Sequence, residues 1–179
     1  MMIAFTKYQG TGNDFILLDN RKGSYRALSN ADIARLCNRK TGIGADGLIL
    51  LNTCDGYDFQ MIYHNADGGE GSLCGNGSRC TVKFAHQLGI IRERYHFLAT
   101  DGPHEALLDP SGIVSVHMQD VKEISTYQND WLLDTGSPHL VTFAHPVEQL
   151  NVYDKGRSIR YRALFPTRHQ YQFCRTPAT

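Results

Sequence analysis

Apolar residues recur along this chain at two different spacings. Residues 3–9 and 14–19 are short runs rich in β-branched and aromatic side chains, and Gly10-Thr11-Gly12-Asn13 between them predicts a hairpin with a tight, polar corner. After Ser29 the period changes: Ile33, Leu36 and Cys37 repeat at helical spacing, and Asp32 follows Ser29 as an approximate capping box. A helix is predicted from about residue 30 to residue 40. The loop Gly42-Ile43-Gly44-Ala45-Asp46-Gly47 then leads into a buried strand at residues 48–51. In residues 57–64, Tyr57, Phe59, Met61 and Tyr63 share one face and Asp58, Gln60 and His64 the other, which predicts a strand with one wet side.

The turn-forming run Asn65-Ala66-Asp67-Gly68-Gly69-Glu70-Gly71, followed by Ser72-Leu73, delivers Cys74-Gly75-Asn76-Gly77-Ser78-Arg79 onto the start of a second helix. Val82, Phe84, Ala85 and Leu88 are its apolar positions, and Gly89 is its stop. Strands are predicted at residues 95–100, 105–109, 113–118, 131–134 and 140–143, and residues 121–130 read as a link between two units. The mixture predicts an α/β (α+β) fold.

Composition narrows the function. A chain of 179 residues, 41% hydrophobic and 20% charged, can bury a core. Eighteen basic residues against eighteen acidic ones leave no positive excess for nucleic acid or an anionic membrane. The longest aliphatic run, Leu48-Ile49-Leu50-Leu51, is far short of the roughly 20 residues of a membrane span. The start lacks a signal peptide's basic stretch and apolar core, so a cytoplasmic protein is expected. Five cysteines, an odd number, argue for a reactive thiol rather than a disulfide framework.

Cys74 is the strongest candidate for that thiol. Between a glycine-rich turn and a helix start, free backbone N–H groups and the helix dipole favour a thiolate, and the amides of Gly75, Asn76 and Gly77 can cradle a carboxylate. Proton abstraction beside a carboxylate suits this arrangement; a structural cysteine at a packed corner is the alternative. Cys74 and Cys80 do not suit one metal ion, because six helical residues leave their side chains about 120° apart around the axis. No metal and no cofactor are expected. Cys37 and Cys80 fit core positions, Cys54 a loop, and Cys174 the tail. Asn13 and Asn65 stand at strand ends, where an amide can serve either a zwitterionic ligand or the local backbone. His139, in Gly136-Ser137-Pro138-His139, reads from spacing alone as a solvated loop histidine. The Gly42 to Gly47 loop lacks the Gly-Lys-Ser/Thr ending of a nucleotide-binding loop.

Taken together, Phe5-Thr6-Lys7, Gly10-Thr11-Gly12-Asn13-Asp14-Phe15, the Gly42 to Gly47 loop, Asn65-Ala66-Asp67-Gly68, Cys74-Gly75-Asn76-Gly77-Ser78-Arg79-Cys80 and Gly136-Ser137-Pro138-His139 resemble the diaminopimelate epimerase family of PLP-independent amino-acid epimerases. The resemblance runs from residue 3 to about residue 166. It implies two similar domains, each a curved mixed sheet wrapped around a central helix, with the active site between them. It also implies isomerisation of LL- to meso-diaminopimelate, in lysine and peptidoglycan-precursor synthesis, by two cysteines working on opposite faces of Cα. By position, the resemblance makes Cys74 the first of these cysteines. Asn13, Asn65, Gly75 and Asn76 become holders of the reacting carbon's amino and carboxylate groups, and His139 a support from the second domain. Ser137 stands where many members have asparagine. The implied domains are residues 1–119 and an incomplete second domain at 120–167. A homodimer remains open.

The family's Gly-Thr-Asn-Val/Ile-Asn-Phe segment, a Glu-Arg-Gly segment and the second cysteine in Ala-Cys-Gly-Thr-Gly do not occur in this sequence. A codon string CGG CAC CAA TAT CAA TTT TGC CGA would encode Arg168 to Arg175, and one base later it would give Gly-Thr-Asn-Ile-Asn-Phe-Ala. Residues 168–179 are therefore expected to be an out-of-frame tail, and the chain to be impaired as an epimerase. Competing expectations are a non-catalytic carboxylate-binding remnant or interaction module, and a proline or hydroxyproline racemase or phenazine-synthesis type isomerase. The Gly10 to Phe15 corner together with Asn65 to Gly68 argues against the last group.

Overall fold

In the computed structural model, which describes residues 2–136, 138–144, 146–160 and 170–175, the first register is set by a two-residue corner. Strands β1 (Thr6–Gly10) and β2 (Asn13–Asp19) pair antiparallel, Gly10 opposite Asn13. Thr11 and Gly12 between them have φ of 55° and 83°, the doubly positive pair that matches the twist of a tight hairpin. The strand begins later than residue 3 because Ala4 leaves the sheet. Its N–H and C=O both bond the Tyr25 hydroxyl, at 3.1 and 3.2 Å.

Helix α1 (Asn30–Cys37) opens with the full capping box, Ser29 and Asp32 each accepting from the other's backbone N–H. It ends short of residue 40 because Asn38 is extended and its side chain accepts from the amides of Lys40 and Thr41. The following loop folds back onto the helix end. The amides of Gly42, Ile43, Gly44 and Ala45 bond the carbonyls of Asn38, Leu36, Leu36 and Cys37 at 2.9 to 3.0 Å. Those donors satisfy the last helical turn, so this glycine loop has no free row of amides for a phosphate.

Strand β3 (Gly47–Asn52) runs parallel to β2 with Phe15 opposite Gly47, and β4 (Phe59–Asn65) pairs antiparallel with β3. Helix α2 (Gly75–Gln87) follows, then β5 (Arg94–Ala99), β6 (Gly102–Leu108) and β7 (Val114–Val116). The sheet is seven-stranded and mixed, in the order β1 to β7. Helix α2 touches both edge strands as well as β2, β3, β4 and β6, so the sheet curls around it. Gly77, Ser78, Cys80, Thr81, Val82, Phe84 and Ala85 are its buried residues.

Strands β2 and β3 are buried on both faces. Phe15, Leu17, Ile49 and Leu51 join the core around α2, and Ile16, Leu18, Leu48 and Leu50 join a second core with Ile33 and Cys37 of α1. Strand β4 starts at Phe59 rather than Tyr57, and its second face is less wet than the alternation predicts, because Ile62 packs against that second core. Tyr57 instead lies against His96, ring centroids 4.7 Å apart.

By contacts the chain divides into two compact units, Met1–Met118 and Gln119–Thr179. The second contains β8 (Ile124–Tyr127), β9 (Asp130–Asp134), β10 (Pro138–Ala144), a 3-10 turn (Val147–Gln149), α3 (Val152–Arg160) and β11 (Gln170–Arg175), with the strands ordered β11-β10-β9-β8. Residues 121–130 are thus not simply a link: β8 and β9 form a hairpin around Gln128, whose φ is 57°. Cys174, expected in the tail, belongs to β11 opposite Phe143 of β10. Leu140 and Ile159 form a small core with Tyr127, Leu132 and Phe173. Among the described residues, no helix is long and apolar enough to cross a membrane.

Candidate active site

Cys74 is the N-cap of α2. Its backbone is extended (φ −117°, ψ 108°), its carbonyl accepts from Ser78 N at 2.7 Å, and its Sγ accepts from Gly77 N at 3.4 Å. Ser, Thr, Asp or Asn would cap this helix better, since sulfur is a weak acceptor. The side chain is half-buried, and desolvation pushes the thiol above its ordinary value; the Gly77 and Asn76 amides and the Arg79 guanidinium pull it back without prevailing. The thiolate favoured by the sequence pattern is therefore opposed by burial. The helix-start donors are present, but the sulfur is too well covered for them to win.

One side-chain amide meets this sulfur, and a second meets the first. Asn13, the first residue of β2, places Oδ1 3.8 Å from Cys74 Sγ and 3.5 Å from Asn76 Nδ2, and donates from Nδ2 to Asp46 Oδ2 at 2.9 Å. Asn76, in the first turn of α2, accepts at Oδ1 from the Arg79 guanidinium and lies 3.1 Å from Thr11 Oγ1. At Gly75 a Cβ would meet nothing nearer than Met118 Sδ at 3.7 Å. Packing does not require glycine there.

Asn65 ends β4 in a turn, its N–H bonding Gly69 O at 2.8 Å and its C=O accepting from Gly68 N at 2.9 Å. Its Oδ1 accepts from the Tyr63 hydroxyl at 3.1 Å. Burial first, then the Cys74 thiol, pushes that phenol above its usual range. The Tyr63 ring lies over Gly71, where a Cβ would come within 2.6 Å of it, so residue 71 must be glycine for the turn to fold under the ring.

The structure thus brings Cys74, Asn13 and Asn76 together, with Asn65 adjoining through Tyr63. His139 is a buried residue of β10 in the second unit, Nδ1 3.4 Å from Thr135 Oγ1, rather than a solvated loop residue. Ser137 lies outside the described residues. Cys37 and Cys80 are buried, and burial pushes both thiols up to about 11. Among the described residues, no three His, Cys, Asp or Glu side chains gather as a metal site.

Thr11, Asp46, Tyr63 and Arg79 also belong to this neighbourhood, although the sequence pattern does not single them out. Arg79 carries a local signal, standing one helical turn after Asn76 on the same face. Asp46 carries none, because its nearness to Asn13 depends on the parallel β2–β3 register.

The family model described as diaminopimelate epimerase matches residues 5–124. Over 159 residues the chain is 46% identical to a diaminopimelate epimerase of Flavobacterium psychrophilum, covering 89% of this chain and 62% of that protein. It is 43% identical over 166 residues to a diaminopimelate epimerase of Chlorobaculum tepidum, covering 88% of this chain and 64% of that one. The chain spans less than two thirds of the length of either. A crystal structure of a hydroxyproline epimerase from Agrobacterium vitis superposes with a TM-score of 0.61 at 12% identity, covering 87% of this chain and 56% of that one. That likeness concerns the fold.

Proposed function

The chain belongs to the diaminopimelate epimerase family, and on that premise we propose that it supplies one half of a two-base site that moves the Cα proton of diaminopimelate. The observation that carries this reading is the position of Cys74, a thiol at the N-terminus of the central helix with two carboxamides beside it. In the thiolate form Cys74 takes the Cα proton and becomes a thiol, while the electron pair left on Cα is drawn toward the substrate carboxylate. The helix-start amides at Gly75 and Asn76 stabilise that carboxylate, whose negative charge grows as the proton leaves. Asn13, Asn65 and Asn76 orient the amino and carboxylate groups. Return of the proton by Cys74 regenerates the starting isomer. Delivery from the opposite face by a second acid inverts the centre, so one cysteine supports exchange and two support epimerisation.

The substrate is LL-diaminopimelate, the product its meso isomer, and no cofactor is called for by this chemistry. To test the proposal, the purified chain and its Cys74→Ala variant are incubated with each isomer in deuterium oxide. Deuterium at Cα is read by mass spectrometry and configuration by chiral chromatography. Slow uptake without inversion that vanishes in Cys74→Ala is expected. Equal uptake by both proteins overturns the role of Cys74, and inversion at the rate of a version extended past Pro166 in the shifted frame overturns the need for a second acid.

A further inference from the structure

The carboxamides beside Cys74 form a directional chain with an ion at each end. At one end Arg79, which can only donate, points its guanidinium at Asn76 Oδ1. Asn76 must then offer Nδ2 onward, and it does so to Asn13 Oδ1 at 3.5 Å. At the other end the carboxylate of Asp46, which can only accept, takes Asn13 Nδ2 at 2.9 Å. The Asp46 carboxylate is itself held by two further contacts. Its Oδ2 accepts from Asp14 N at 3.2 Å, its Oδ1 accepts from Arg39 at 2.8 Å, and Arg39 also bonds Asp14 at 2.7 Å. Both amides therefore point the same way along the chain, and Asn13 turns its carbonyl oxygen, not its NH2, toward the sulfur.

We propose that Asp46 is a positioning residue whose carboxylate fixes which end of the Asn13 amide faces Cys74. An oxygen acceptor 3.8 Å from the sulfur stabilises S–H over S−, whereas an NH2 donor in its place would do the reverse. Asp46 thereby keeps Cys74 in its proton-carrying form until something displaces or turns Asn13. A substrate ammonium does this without turning the amide, because it competes with the thiol for the same oxygen. Entry of the zwitterion thus releases the thiol from its acceptor as it brings Cα to the sulfur. The inference rests on Cys74 as the proton-transfer group, but its test reads the thiol and needs no turnover.

The test is the pH dependence of Cys74 alkylation in the 179-residue chain, followed by peptide mass mapping. The other titratable and charged groups that act on the sulfur are Arg79 and Cys80 on α2 and Tyr63 on β4, while Asp14 on β2, Lys7 on β1 and Arg39 after α1 form the ion pairs beside Asp46, and none of them is altered in the main comparison. Asp46→Asn frees the Asn13 amide to rotate and lowers the alkylation midpoint by about one pH unit, the size expected for exchanging an acceptor for a donor at a charged group. The same substitution also removes a negative charge. It is therefore repeated in an Asn13→Ala background, where no amide is left to orient and the shift shrinks to the Coulomb part alone. An equal shift in both backgrounds overturns the proposal, and so does no shift in the native background. Asp46→Ala makes the same comparison with a different side chain, so a folding defect in one variant leaves the other decisive. Deuterium exchange that fails in the native chain while the Asp46 comparison holds would reject the proposed activity and leave the positioning role standing.

Discussion

Replacing Cys74 with serine should strengthen the fold while removing the chemistry. In the native chain the α2 cap is a thiol sulfur 3.4 Å from Gly77 N, a long contact to a weak acceptor. A serine hydroxyl at the same extended backbone position is among the preferred caps, and a good cap exceeds alanine by about 1 kcal/mol. With sulfur between these limits, Cys74→Ser should gain about 0.5 kcal/mol over the native chain and Cys74→Ala should lose a similar amount. For a domain of this size a difference of about 1 kcal/mol moves the thermal midpoint by roughly 3 to 6 °C. Circular dichroism melts of the three proteins should therefore order them serine, cysteine, alanine from most to least stable. Deuterium uptake at Cα should disappear in both variants, because a hydroxyl is a far weaker acid than a thiol. Should the serine variant melt at or below the alanine one, the sulfur is held by packing and does not cap the helix. Retained uptake in the serine variant would mean that another group moves the proton.

Leu17 and Leu18 are adjacent on β2 and both fully buried, on opposite faces of the sheet, so Leu17→Ala and Leu18→Ala should each cost about 3 kcal/mol in denaturant titrations; a loss well under 1 kcal/mol for either would show that its face is solvated. Asp14 is held well below the usual carboxylate range by hydrogen bonds from Arg39 and Lys7. Its folded pKa lies below the unfolded value, so its contribution is whole above about pH 4 and fades as the pH falls further. Asp14→Asn should lower stability at neutral pH by about 1 kcal/mol or less, since the partners are solvent-exposed, and the two proteins should converge in acid. A gap that widens in acid would contradict that sign.

The elements legible in the sequence are those whose causes are local. The Thr11-Gly12 corner, the Ser29/Asp32 capping box and the Gly89 stop each act over a few residues, and all three occur in the structure. Errors arise where a distant group decides. Residues 3–5 have strand composition, yet the Tyr25 hydroxyl holds Ala4 out of the sheet. The end of α1 is a nearer case: Asn38 is extended and its own side chain takes the amides of Lys40 and Thr41, which the helical spacing of Ile33, Leu36 and Cys37 does not show. Strand β8, Ile-Ser-Thr-Tyr, is mostly exposed and lacks the apolar alternation by which a strand announces itself; its partner is β9.

The candidate site divides along the same line. Cys74 stands out because a helix start, a glycine-rich turn and a thiol coincide within a few residues. What decides the state of that thiol is not within those residues. Desolvation comes from the sheet that curls around α2, and the direction of the Asn13 amide comes from Asp46, more than thirty positions away in the chain. The link between them is register. Because Phe15 lies opposite Gly47, Asp14 and Asp46 end level with each other and Asn13 comes within reach of the carboxylate. A slip of one residue in β2 would turn Asn13 away from Asp46 and exchange that strand's two buried faces at once, placing Ile16 and Leu18 where Phe15 and Leu17 now pack. The double-sided burial of these strands therefore protects the site as well as the fold. It rules out the neighbouring register by the large apolar loss that either face would suffer, and so holds a surface carboxylate where a single amide needs it.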